Sequence, residues 1–122
     1  MSRTLVLGAS VNPQRMSNRA MLKLKQKGVG VVAVGNREGA AHGIEITKEF
    51  PTSGIDTVTM YLGAKNQLYY YDKILALNPR RIIFNPGAEN SELSKLATEK
   101  GIETLDACTL VMLSIGNYWS VL

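Results

Sequence analysis

One cysteine, Cys108, and one histidine, His42, stand among the 122 residues. A lone cysteine closes no internal disulfide, so a reducing, cytoplasmic setting is expected. A lone histidine with no clustered partners gives no metal-ligand pattern, and a catalytic triad would have to be gathered from unrelated loops. No apolar run approaches the ~20 residues of a membrane-spanning helix. No basic-then-apolar leader precedes the first strand, so neither membrane nor export is expected. An arginine-rich tract and a repeated aromatic platform are also missing, which argues against nucleic acid. The net charge of +4 is mild and suits an anionic small-molecule ligand.

What is present has the balance of a globular protein, 45% hydrophobic and 20% charged. The length fits one domain over residues 1–122. The governing stretch is Arg3-Thr-Leu-Val-Leu-Gly-Ala-Ser-Val-Asn-Pro-Gln-Arg15. Thr4 to Leu7 reads as a buried strand that breaks at Gly8 into a polar turn and feeds a helix from Ser17 to Lys27. Val29 to Val34 is β-branched and continuous, a strand buried on both faces. Strand, helix and strand in about thirty residues make a right-handed parallel βαβ unit. Gly35 to Gly54 is irregular, with a short edge strand at Ile44 and Ile46 and a helical turn at Thr47 to Phe50. Beyond it come a strand at Ile55–Leu62, a helix at Ala64–Leu77 and a strand at Arg81–Phe84. A helix at Glu89–Lys100, a strand at Ile102–Leu105 and a helix at Thr109–Ile115 complete the series. Strands alternating with helices predict an α/β fold, a doubly wound five-stranded parallel sheet of Rossmann-like type.

In such sheets ligands sit beyond the C-terminal strand ends. Three turns fall there: Gly8-Ala-Ser-Val-Asn-Pro, Gly35-Asn-Arg37 and Asn85-Pro-Gly-Ala88. A glycine turn feeding a helix start collects backbone N–H groups and partial positive charge, and Arg15 adds a full one. The dinucleotide fingerprint G-x-G-x-x-G is missing, since only Gly8 is present. The acid expected after the second strand is replaced by Asn36-Arg37, which favours a phosphate near the ribose, as in NADP or coenzyme A.

Gly8-Ala-Ser10, Asn12-Pro-x-Arg15 and Ser17 combine with Asn85-Pro-Gly-Ala-Glu-Asn90 and Ala107-Cys-Thr-Leu-Val-Met112. Together these stretches resemble the small bacterial coenzyme-A-binding domain family, itself similar to the N-terminal domain of the succinyl-CoA synthetase alpha subunit. The resemblance implies a Rossmann-like fold that binds coenzyme A without an evident reaction of its own. On that pattern Gly8, Ala9, Ser10 and Arg15 meet the phosphates, with Ser17 beside them. Asn36 and Arg37 flank the adenosine end, and Tyr61, Leu62, Gly87 and Ala88 line the adenine and pantetheine path. The family commonly has Asn-Pro-Arg where this chain has Gly35-Asn36-Arg37, so a looser turn is expected there.

Plainer roles compete at several positions. Ser17 suits an N-cap as well as a ligand contact. Arg80 and Arg81 are expected to be solvated at the far sheet edge. Tyr69, Tyr70 and Tyr71 point about 100° apart on a helix, so at least one is exposed. Cys108 is either a small buried hydrophobe or a neighbour of the coenzyme's thiol end. The apolar tail, Leu110 to Leu122, either packs on the core or forms a homodimer patch. Two other functions stay in play: an NADP-dependent reductase or CoA-ligase-like partner subunit, and an interaction protein that has lost its ligand.

Overall fold

A computed structural model describes residues 3–119; residues 120–122 of the apolar tail lie outside them. The chain runs β1 (Arg3–Leu7), α1 (Met16–Gln26), β2 (Gly30–Val34), β3 (Gly39–Ala41), β4 (Ile44–Thr47) and β5 (Thr57–Met60). It continues with α2 (Ala64–Gln67), a 3-10 turn (Leu68–Tyr70), α3 (Tyr71–Leu77), β6 (Arg81–Phe84), α4 (Ser91–Glu99), β7 (Glu103–Asp106) and α5 (Thr109–Ile115). The sheet order is β3-β4-β2-β1-β5-β6-β7, parallel except where β3 runs against β4.

Side chains that alternate along β1 feed two cores, as the two-residue strand period requires. Leu5 and Leu7 join Met60, Ile74, Phe84 and Leu93 beneath α3 and α4. Val6 joins Met21, Leu24, Ile83, Met112 and Leu113 beneath α1 and α5. Helices therefore cover both faces, and the doubly wound, Rossmann-like architecture follows.

The sheet has seven strands rather than five. The two additions form a hairpin whose turn, His42-Gly43, has φ of 56° and 77°. That pair of positive angles makes the turn type whose twist matches its strands. Thr47 ends β4 and accepts a hydrogen bond from the Glu49 amide at 2.9 Å, so no helical turn forms at Thr47–Phe50. The expected Ala64–Leu77 helix is interrupted at the 3-10 turn.

Arg81 is buried rather than solvated. Its Nε donates to Thr57 Oγ1 at 3.2 Å, and its guanidinium lies 4.6 Å from the centre of the Tyr118 ring, whose hydroxyl bonds Thr4. The tail thus packs on the core through Tyr118. Arg80 is paired too, through two bonds to Asp56 at 2.9 and 3.1 Å. The hydrogen bond from Arg80 holds the Asp56 carboxyl below its ordinary pKa. A carboxyl depressed on folding contributes stability above the ordinary carboxylate range and loses it as pH falls through the lower, folded value. Melting followed by circular dichroism from about pH 5 to pH 2 should therefore fall less steeply for Asp56→Asn than for the unaltered chain. Parallel acid limbs would show that the pair contributes nothing.

Candidate functional site

The strand order reverses at β1, from which the chain first builds outward to β2 and β4 and then returns to β5. The C-terminal ends of β1, β2, β5 and β6, with the residue before α5, enclose a cleft of about 770 Å³.

Close backbone packing shapes its floor. Gly8, at φ 99°, and Ala9 both donate to the Val34 carbonyl, at 2.9 and 3.0 Å. A side chain at Gly8 would begin 3.1 Å from the Tyr61 carbonyl carbon, so β5 ends directly across the turn. Gly35 is tighter still: a Cβ there would lie 2.4 Å from the Ala9 oxygen. The Gly35 amide is also fixed to the Thr47 carbonyl at 3.0 Å. The expected looseness of the Gly35-Asn36-Arg37 turn is therefore not found at its first residue.

From Ser10 the turn is built by short side chains. Ser10 Oγ accepts from the Asn12 amide at 3.1 Å, and Asn12 Oδ1 from the Gln14 amide at 2.9 Å. Asn18 donates to the Ser10 carbonyl at 2.9 Å and meets His42 Nε2 at 2.7 Å, which ties the hairpin to this turn. Helix α1 starts at Met16 with Arg15 in the capping position and no side-chain cap. Its first N–H groups are left for solvent or ligand, where the dipole favours negative charge. Ser17 is not the cap, because it lies inside the first turn, where it is buried.

The wall on the β5 side is anchored by Gln67. Its Nε2 donates to the Leu62 carbonyl at 2.8 Å and the Ala88 carbonyl at 2.7 Å, and its Oε1 accepts from Asn90 at 2.9 Å. Asn90 caps α4 through the Leu93 amide at 3.0 Å. Asn85, also buried, donates to Thr59 Oγ1 at 2.8 Å and the Met60 carbonyl at 2.9 Å, and accepts from the Thr109 amide at 2.8 Å. The Tyr61 hydroxyl is buried and lacks a hydrogen-bond partner among the described residues, and burial pushes its pKa up to about 12.

Gly8, Ala9, Ser10, Arg15, Ser17, Asn36, Tyr61 and Leu62 all line the cleft. Arg37, Gly87 and Ala88 do not. Arg37 is exposed beyond Asn36 and makes no ion pair among the described residues. The Gly87 amide is turned to Glu89 Oε1 at 3.0 Å, and Ala88 is buried with its carbonyl spent on Gln67. Asn85 and Pro86 of the expected turn line the cleft, and so do Gln14, Asn66, Tyr69 and Tyr70, to which the sequence assigned no ligand role. Cys108, half-buried, lines it as well, so the sulfur borders the site rather than the deep core. Among the described residues no cluster of three potential metal ligands occurs, and no helix is long and apolar enough to cross a membrane.

A family described as CoA binding domain matches residues 2–114. The chain belongs to this family. No curated protein matches it. Among solved structures, the CoA-binding domain is similar to an uncharacterized protein at 45% identity and a TM-score of 0.93, covering 97% of this chain and 98% of that one. A conserved hypothetical protein from Pyrococcus furiosus follows at 22% identity and a TM-score of 0.77, covering 91% and 98% of the two chains. A protein from Thermus thermophilus aligns at 19% identity and a TM-score of 0.80, over 96% and 91%. The last two share the fold with this CoA-binding domain and carry no statement about its ligand.

Proposed function

We propose that this chain binds coenzyme A, or an acyl-CoA, in the cleft at the C-terminal sheet edge, as a binding module rather than an enzyme. The observation that carries the reading is the uncapped start of α1 beside Arg15, opening into the cleft of a CoA-binding domain. Anions of the pyrophosphate type are what such a helix start and an arginine attract. A volume of about 770 Å³ lies within the usual range for small-molecule sites. The Ser10 turn, the open N–H groups at the start of α1 and the Arg15 guanidinium take the pyrophosphate, above a floor of Gly8 and Ala9 whose own amides are bonded to the Val34 carbonyl. Asn36 and the exposed Arg37 face the adenosine end with its ribose phosphate, and Tyr61 and Leu62 border the pantetheine arm. Gly87 and Ala88 serve that wall indirectly, through the hold of Gln67 on Ala88. When bound, the coenzyme supplies a thiol or thioester.

Calorimetric titration with coenzyme A, NAD and NADP tests the reading. Coenzyme A should bind in preference to the other two, and preference for NAD would sink it, since no acid follows β2 to hold the ribose hydroxyls. Tighter binding of NADP than of coenzyme A would turn the reading toward a reductase. Arg15→Ala should weaken coenzyme A by about 1.5–3 kcal/mol, the range for a charge-assisted hydrogen bond to phosphate. The exposed arginine makes no ion pair among the described residues, so circular dichroism should be unchanged. Unaltered affinity would return Arg15 to the solvated surface.

A further inference from the structure

We infer that Tyr69 is the platform on which the adenine of the bound coenzyme stacks, an inference that rests on the reading above. Tyr69 lines the cleft, yet it is 81% exposed and has no aromatic partner among the described residues. A phenol ring left so open at the mouth of a ligand cleft is an unused π face. Its neighbours are held. Gln67, fully buried, pins the start of the 3-10 turn to the Leu62 and Ala88 carbonyls, and the Tyr70 ring stacks on Phe50 with centres 5.8 Å apart. The turn is thus fixed at both ends, with Tyr69 between them.

Phe50 also says which part of the ligand the ring meets. It follows β4, on the β2 side of the sheet, so its stack with Tyr70 draws the turn from β5 across the end of β1. The turn then reaches toward Asn36, which lines the same cleft and precedes the exposed Arg37. Coenzyme A has one flat conjugated surface, its adenine, and aromatic side chains stack on bases with little regard to base identity. The phosphates draw the ligand to the start of α1, and Tyr69 receives the base at the adenosine end.

Three ligands separate the parts: coenzyme A, adenosine 3′,5′-bisphosphate and 4′-phosphopantetheine, each titrated into the unaltered chain, Tyr69→Ala and Tyr69→Phe. Tyr69→Ala should weaken coenzyme A and the bisphosphate about tenfold, the scale of a single base stack, and leave phosphopantetheine unchanged. Tyr69→Phe, which keeps the ring, should bind all three as the unaltered chain does. Full affinity for coenzyme A in Tyr69→Ala overturns the stacking and leaves the proposed function standing. An equal loss for phosphopantetheine also overturns it, because the ring then serves the arm. If the unaltered chain binds no coenzyme A, the proposed function falls and the inference with it. Melting temperatures should match throughout, since the ring is exposed.

Discussion

Gly35→Ala should cost about 3 kcal/mol of stability, lower the melting temperature by roughly 10 °C and abolish binding in the cleft. The added methyl would start 2.4 Å from the Ala9 oxygen and 3.2 Å from Ile46 Cγ2. The nearer obstacle is backbone, which cannot rotate away as a side-chain tip does. Ala9 and Gly8 are themselves bonded to the Val34 carbonyl, and Gly35 to the Thr47 carbonyl. Relief therefore requires parting the turns after β1 and β2, which breaks at least one of those bonds and moves the floor of the cleft. Gly63→Ala is the control. Gly63 lines the same cleft, has an ordinary extended backbone at φ −65° and has nothing within 4 Å of an added methyl. It should lie within about 0.5 kcal/mol of the unaltered chain in urea. Equal midpoints for the two variants would show that the turns yield and that their contact is not a constraint.

Asn85→Leu should be the costlier change, at about 4 kcal/mol by urea denaturation. Leucine has nearly the same reach, so the loss comes from polar pairing rather than from a cavity. It orphans the Thr109 amide, the first N–H of α5, for which Asn85 Oδ1 at 2.8 Å is the partner. It also removes the donor to Thr59 and to the Met60 carbonyl, although Met60 keeps the Asn85 backbone amide at 3.3 Å. Asn85→Asp separates the parts. An oxygen can still serve the Thr109 amide, but a second now faces the Met60 carbonyl, so the ionised form is penalised and the protonated form can donate. Burial against an acceptor raises the folded pKa, and with a raised pKa the destabilisation grows as pH climbs above the unfolded value. This variant should approach the unaltered chain near pH 4 and fall away toward pH 7. A pH-independent deficit would show that the loss is steric. Circular dichroism should also report loosening of α5, and with it of the wall that carries Cys108.

Strong periodicity made most of the frame legible. Thr4 to Leu7 read as a buried strand, and it is one, whereas Val29 to Val34, read as buried on both faces, is fully buried only at Ala33 and Val34. Helices α1, α4 and α5 fall within two residues of their sequence limits. The hairpin was half legible. Its strands are three and four residues long, and its turn uses histidine where asparagine is the usual signal, so only Ile44 and Ile46 stood out. Arg81 was misread because a charged residue at a strand start is ordinarily solvated. Its burial depends on Thr57 and Tyr118, residues 24 and 37 positions away, which no local pattern connects. The break in the long helix is likewise non-local, imposed where Gln67 is drawn to two carbonyls. In the cleft, the glycine turn, Arg15 and Asn36 carried a local signature. Gly87 and Ala88 carried one too, but the turn at Asn85-Pro86 directs them away. The part played by Asn85 could have been suspected from a buried-strand terminus followed by proline, a place where a side-chain amide stands in for lost backbone donors.

The central place of β1 bears on synthesis. It is made before both of its neighbours, and they arrive far apart: β2 at residue 30 and β5 at residue 57. For the time needed to make some fifty residues, this strand, buried from Thr4 to Leu7 in the finished sheet, has at least one open side. Parallel pairings at such separation are slow to form and prone to association while they wait. The hairpin β3–β4, which pairs with β2 before β5 exists, closes the opposite side early with the short strand that stays the edge of the finished sheet, so only the β5 side of β1 remains open to a stray strand.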